Sequence, residues 1–275
     1  MQSTSDQSHP HQNSTDRAQR WTPLFLAGGL LLAFLAAPWP LQHKAHAALH
    51  GLCAQNPSHT FLMGRSPLPF DARMTGIYGG FAVAFACLIW LGRHRAARLP
   101  SYPLMALLAA LVGVMAIDGF NSLFLDLGRP HPYQPDNRLR LLTGIGTGIS
   151  LAVILCYLIG STLWRRPDTK QPVLTWRDLG ILLPAQAPFA LLVLSGWGWL
   201  SAPLTVGLVM AAVAVLTTLA LVAIVLFKRL DYSFDGAGEL HAHATAAMIV
   251  AVAAMALLAS GRFLLEHVTG IQTLQ

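Results

Sequence analysis

The stretch VGLVMAAVAVLTTLALVAIVLF, residues Val206 to Phe227, decides the fold. Only Thr217 and Thr218 interrupt its apolar run. At about 1.5 Å per residue a helix of this length covers the about 30 Å hydrocarbon core of a bilayer. Working outward, similar segments lie at roughly 22–41, 75–92, 102–124, 140–164, 179–200 and 241–265, with the quoted run inside 203–227. The expected fold class is therefore all-α, a polytopic membrane helix bundle of about seven transmembrane helices. Composition agrees: 54% of residues are hydrophobic and 11% charged, against about 25% charged in soluble domains. The net charge of +6 would raise nucleic-acid binding in a soluble protein. Here the basic residues fall in short loops between apolar runs. They read as topology determinants and headgroup contacts, so the expected partner is the lipid bilayer and not nucleic acid.

Orientation follows from those loops. One side would hold Arg17, Arg20, Arg93, Arg95, Arg98, Arg165, Arg166, Lys170, Arg177, Lys228 and Arg229. The other would hold Lys44, Arg65, Arg73, Arg129, Arg138, Arg140 and Arg262. The richer side is taken as cytoplasmic. This places the N-terminus in the cytoplasm and the C-terminus outside, in a prokaryotic inner (cytoplasmic) membrane. Residues 1–20 are polar and read as a disordered cytoplasmic tail. Residues 21–164 form a core of four spans with extracytoplasmic loops 42–74 and 125–139, and 165–275 add three more spans. Ala45-His46-Ala47 mimics a signal-peptidase site but lies far beyond the apolar run, so an uncleaved first helix is expected. Pro184, Gln186 and Pro188 predict a kink in the fifth span.

Thr75-Gly76-Ile77-Tyr78-Gly79-Gly80 opens the second span and Thr143-Gly144-Ile145-Gly146-Thr147-Gly148 the fourth. The shared Gly-x-x-x-Gly spacing permits close helix approach. It also raises an internal repeat of two hairpins, with chance similarity as the alternative.

Chemistry-bearing residues crowd the outer loops. His43, His46, His50 and Cys53 are spaced 3, 4 and 3 apart, one stripe on a helix. Imidazole and thiolate suit zinc or copper. The alternative is an amphipathic interfacial helix with merely polar histidines, and the sequence itself requires no cofactor. Asp71 and Arg73 precede the second span. An arginine at the interface needs an anionic partner, and Asp118, Asn121 or Ser122, and Asp126 form a polar stripe on the third span. Asp118 reads either as a functional group or as a structural ion pair with Arg73 or Arg140. Arg138 and Arg140 follow a proline-stiffened loop and suit carboxylate or phosphate recognition, or headgroup anchoring. Glu239, His241, His243, Glu266 and His267 read as solvated ends. No Walker loop, nucleophile elbow, His-Glu-x-x-His or Cys-x-x-Cys-His is present.

These residues resemble the domain-of-unknown-function 2085 family of prokaryotic membrane proteins. Its pattern looks like Cys-His-Gln-x-Pro-x-Arg-Ser-Phe, then Cys-Ala-Arg-Cys-x-Gly-Ile-Tyr-x-Gly, an Ile-Asp-Gly segment and an Arg-x-x-Thr-Gly segment. Here Cys53-Ala54-Gln55-Asn56-Pro57-Ser58-His59-Thr60-Phe61 is similar to the first and Asp71 to Gly80 to the second. Ile117-Asp118-Gly119 and Arg140-Leu141-Leu142-Thr143-Gly144 are similar to the others. The resemblance covers about residues 45–150. The full pattern implies a thiolate metal or redox site. In this chain Ala54, Asp71 and Met74 stand at its other ligand positions and only Cys53 remains. The retained Cys53, Pro57, Arg73, Gly76, Tyr78, Asp118, Arg140 and Gly144 look like an ionic, close-packed scaffold. The resemblance carries no activity.

The reading that follows is a non-enzymatic membrane protein with an extracytoplasmic polar site of Asp71, Arg73, Tyr78, Asp118, Asn121, Asp126, Arg138 and Arg140. That site would take an anionic ligand or lipid, or dock a membrane-protein partner. The rivals are a metal-dependent enzyme using His43, His46, His50 and Cys53, and a small-solute transporter passing Asp118 and the fifth span.

Overall fold

The computed structural model describes residues 21–270. The expected disordered stretch 1–20 lies outside them. Among the described residues eight α-helices follow in chain order: α1 Thr22–Ala36, α2 Leu41–Leu49, α3 Ala72–Trp90, α4 Tyr102–Asp126, α5 Asn137–Thr162, α6 Trp176–Leu194, α7 Ser201–Phe227 and α8 His241–Thr269. The six from α3 to α8 are long and apolar enough to cross a membrane, while α1 is apolar but only 15 residues long. The chain is thus an integral multipass membrane protein of six to seven spans.

The expected first span, 22–41, is broken. Ala37 precedes Pro38 and is pushed to an extended conformation with ψ 139°. Pro40 then leads into the separate short helix α2. In contrast α6 runs unbroken through Pro184 and Pro188. Its start is fixed by a capping box between Thr175 and Asp178. Asp178 also pairs with Arg93 at 2.9 Å, joining the turn that follows α3 to the start of α6. The connections carry two small β-pairs that the helical reading did not include. Strand β1 (Leu62–Met63) pairs antiparallel with β2 (Ser66–Pro67), and β3 (Ala96–Arg98) pairs parallel with β4 (Asp168–Pro172).

The centre of the molecule is the α3–α5 pair. A Cβ added at Gly76 would sit 2.3 Å from the Leu141 carbonyl oxygen, and one at Gly144 2.3 Å from that of Arg73. Only glycine allows this backbone-to-backbone approach. Phe70 stacks on Tyr78 at 4.7 Å beside the contact, and both are buried. Around this pair α4 packs on α5, α6 on α3, and α7 with α8 closes the other flank.

Candidate functional site

The close α3–α5 approach brings the first turns of both helices together at one end of the bundle. Arg73 stands in the first turn of α3, whose N-cap Asp71 accepts the Met74 N–H at 2.8 Å. Arg140 stands in the first turn of α5, capped by Asp136. The last two turns of α4 supply Asp118, Asn121 and Ser122, all buried.

Arg73 Nη2 donates to Asp118 Oδ2 at 2.6 Å and to Ser122 Oγ at 3.2 Å. The Tyr133 hydroxyl donates to the other carboxylate oxygen, Oδ1, at 2.8 Å. Tyr133 comes from the loop between α4 and α5. Asn121 holds it there, donating to the Tyr133 carbonyl at 2.9 Å and accepting its N–H at 3.4 Å. Arg140 reaches the same Ser122 Oγ from Nε (3.4 Å) and Nη2 (3.3 Å), and Nη1 donates to Asn137 Oδ1 at 2.6 Å. Arg73, Asp118 and Arg140 thus meet around one hydroxyl.

The charges in this cluster are unevenly matched. Asp118 is 1% exposed and has a cation and a phenol. Arg140 is 4% exposed, and among the described residues no carboxylate oxygen lies within 4.0 Å of it. Arg73 Nε is also buried with no hydrogen-bond partner among them. His59 completes the rim, 3.5 Å from Asp126. Burial and the Arg140 charge hold the His59 imidazole below its ordinary value, Asp126 and Asp71 opposing. Burial and the hydrogen bond to Asp118 push the Tyr133 phenol up, so it donates through the neutral range.

Other expected members stand apart from this cluster. Asp71 makes no hydrogen bond within it and accepts the Cys53 thiol at 3.3 Å, although its charge still reaches His59. Tyr78 belongs to the apolar core. Arg138 is exposed, and its guanidinium has no partner among the described residues. Tyr133 and Asn137 were missed. The signal for Tyr133 was an aromatic hydroxyl in a proline-stiffened loop next to a polar stripe.

The histidine stripe does not assemble as a ligand set. Helix α2 ends at Leu49, with His50 as its C-cap. His43 is exposed, and His46 is half-buried. Burial, then the His43 and His50 charges, lower the His46 imidazole. His50 is fully buried, with Nδ1 3.0 Å from Gln55 Oε1 and Nε2 3.0 Å from Glu266 Oε2, and its ring stacks on Phe263 at 4.1 Å. Cys53 faces Asp71. Among the described residues no three His, Cys, Asp or Glu side chains are grouped as a metal would need. Nor is Glu266 a solvated end. Arg262 holds it at 3.0 Å and donates to the backbone carbonyls of His50 (2.7 Å), Cys53 and Ala54 (3.1 Å). The missed signal was the Arg262/Glu266 pair at i, i+4 on the last span.

Residues 53–154 match the family described as Predicted membrane protein (DUF2085). No curated protein and no solved structure matches the chain. The matched segment contains the whole Arg73–Asp118–Tyr133–Arg140 cluster. Helices α6 to α8, with Arg262 and Glu266, lie beyond it.

Proposed function

For a membrane protein whose residues 53–154 belong to the DUF2085 family, we propose that the cluster at the outer ends of α3, α4 and α5 binds an oxyanion, the carboxylate or phosphate of a small ligand or lipid. Its expected side is extracytoplasmic, from the distribution of Lys and Arg. One observation carries the reading. Arg140 is buried yet spends its donors only on the neutral acceptors Ser122 and Asn137. A buried cation normally takes a counter-charge, because the desolvation it suffers is otherwise unrecovered. Arg73 Nε adds an unspent donor in the same place. Guanidinium groups bind carboxylate and phosphate through paired, charge-assisted hydrogen bonds. Asp118 keeps Arg73 in place and takes up its charge.

The test is thermal unfolding of the purified full chain in neutral detergent, titrated with inorganic phosphate and, separately, with succinate. A ligand that binds only the folded state raises the midpoint with concentration. Wild type is expected to gain stability in a saturable way with at least one anion at constant ionic strength. Arg140→Gln is expected to lose the gain. Equal responses of wild type and Arg140→Gln would sink the proposal.

A further inference from the structure

A second site lies in the other half of the molecule. Helices α1, α2, α7 and α8 line a half-open cavity of about 540 Å³, within the range of small-ligand sites. Its walls include Phe34, Ala48, Met210, Met248, Met255 and Thr217. Apart from threonine hydroxyls they are apolar, and the three methionines are the side chains that adapt best to a flexible guest. The lining runs along α7 from Val209 to Thr218, about 13 Å of helix rise, against about 15 Å for one leaflet of the hydrocarbon core.

The cavity has a charged rim. Lys44 stands one turn before Ala48 on the same face of α2. Its ammonium lies 5.4 Å from the centroid of Phe34, another wall residue. Two of its protons go to the carbonyls of Leu35 and Ala37, each at 3.0 Å, which anchors it where α1 ends. An ammonium has three donors, so one remains. Among the described residues no carboxylate pairs with Lys44.

We propose that this cavity holds an acyl chain of an anionic phospholipid, with the lipid phosphate on Lys44. An apolar slot of one-leaflet depth, topped by an anchored and unneutralised cation, complements that amphiphile in both shape and charge. The site is separate from the Arg140 cluster and does not rest on its reading.

Native mass spectrometry of the full chain, titrated with phosphatidylglycerol and phosphatidylcholine of identical chains, tests this. The first phosphatidylglycerol is expected to bind about fivefold tighter, the effect of one lysine near an anionic headgroup. Lys44→Gln should equalise the two lipids, and Lys44→Arg should restore the preference. Ala256→Phe, from an exposed wall position, should expel both. Ala214→Phe, also exposed, serves if that variant loses its wild-type unfolding midpoint. Wild type without a headgroup preference overturns the proposal. So does full lipid retention in the phenylalanine variants, or a dimer that those variants abolish, which would give the groove to a second copy.

Discussion

At Asp118 two donors converge on a carboxylate that is 1% exposed, and this sets how the cluster responds to mutation. Asp118→Asn leaves Arg73 facing an amide, with Arg140 close by. Breaking a buried pair on one side costs about 3 kcal/mol or more. Tyr133→Phe removes one hydrogen bond to a charged group and should cost about 1–2 kcal/mol. Denaturant unfolding in detergent should rank them in that order, and equal small losses would mean that Asp118 is not the hub. Cys53 makes a pH prediction. Burial, then the Asp71 charge, push its thiol from 9.0 to about 12. The folded state therefore prefers the protonated thiol, which donates to Asp71. The sign is that of a raised pKa: its contribution is complete below about pH 9 and lost as pH rises towards 12. Wild type should lose stability over that window more steeply than Cys53→Ala. The Arg73–Asp118 pair was legible in the sequence because an arginine entering a membrane span has few ways to be neutralised. His50 was not. Its partners Gln55 and Glu266 come from a loop of unknown path and from a helix 216 residues away.

At the level of elements, the glycines of α3 and α5 do the positioning. A Cβ on Gly144 would meet the Arg73 carbonyl oxygen at 2.3 Å, and rigid backbone cannot yield as a side-chain tip can. Gly144→Ala should cost about 2–3 kcal/mol and weaken the anion response by moving the turn that carries Arg73. Gly113→Ala, where nothing lies within 4 Å of the added carbon, should be neutral or slightly stabilising. Comparing unfolding midpoints of the two variants checks this, and similar losses in both would mean that helix contact does not set the cost. The Gly-x-x-x-Gly spacing made this packing readable, since close approach needs no knowledge of loop paths. The single helix over 22–41 was misread because hydropathy counted through Pro38 and Pro40, where backbone geometry stops a helix. The β3–β4 pair left no sequence signal, as its strands are short, lack an alternating apolar pattern and meet only once the helices are in place.

For the whole molecule, the distribution of basic residues predicts which face looks outward. Single cysteines at Ser58 and Lys170, both exposed, report on opposite faces in a chain whose native cysteines are replaced by alanine. Ser58→Cys should react with a membrane-impermeant maleimide in intact cells, and Lys170→Cys only after lysis. The reverse pattern would invert the assigned topology. The whole chain also decides when the fold can close. Arg262, near the end of the last helix, holds the carbonyls of the loop after α2, more than 200 residues earlier. A chain ending at residue 260 should therefore leave the segment around Cys53 open to added protease, while the full chain resists. Equal resistance would show that the loop closes by other means. In a growing polypeptide the loop after α2 waits unlatched until α8 has been made, so one guanidinium makes closure of that loop report the arrival of a helix some 200 residues later.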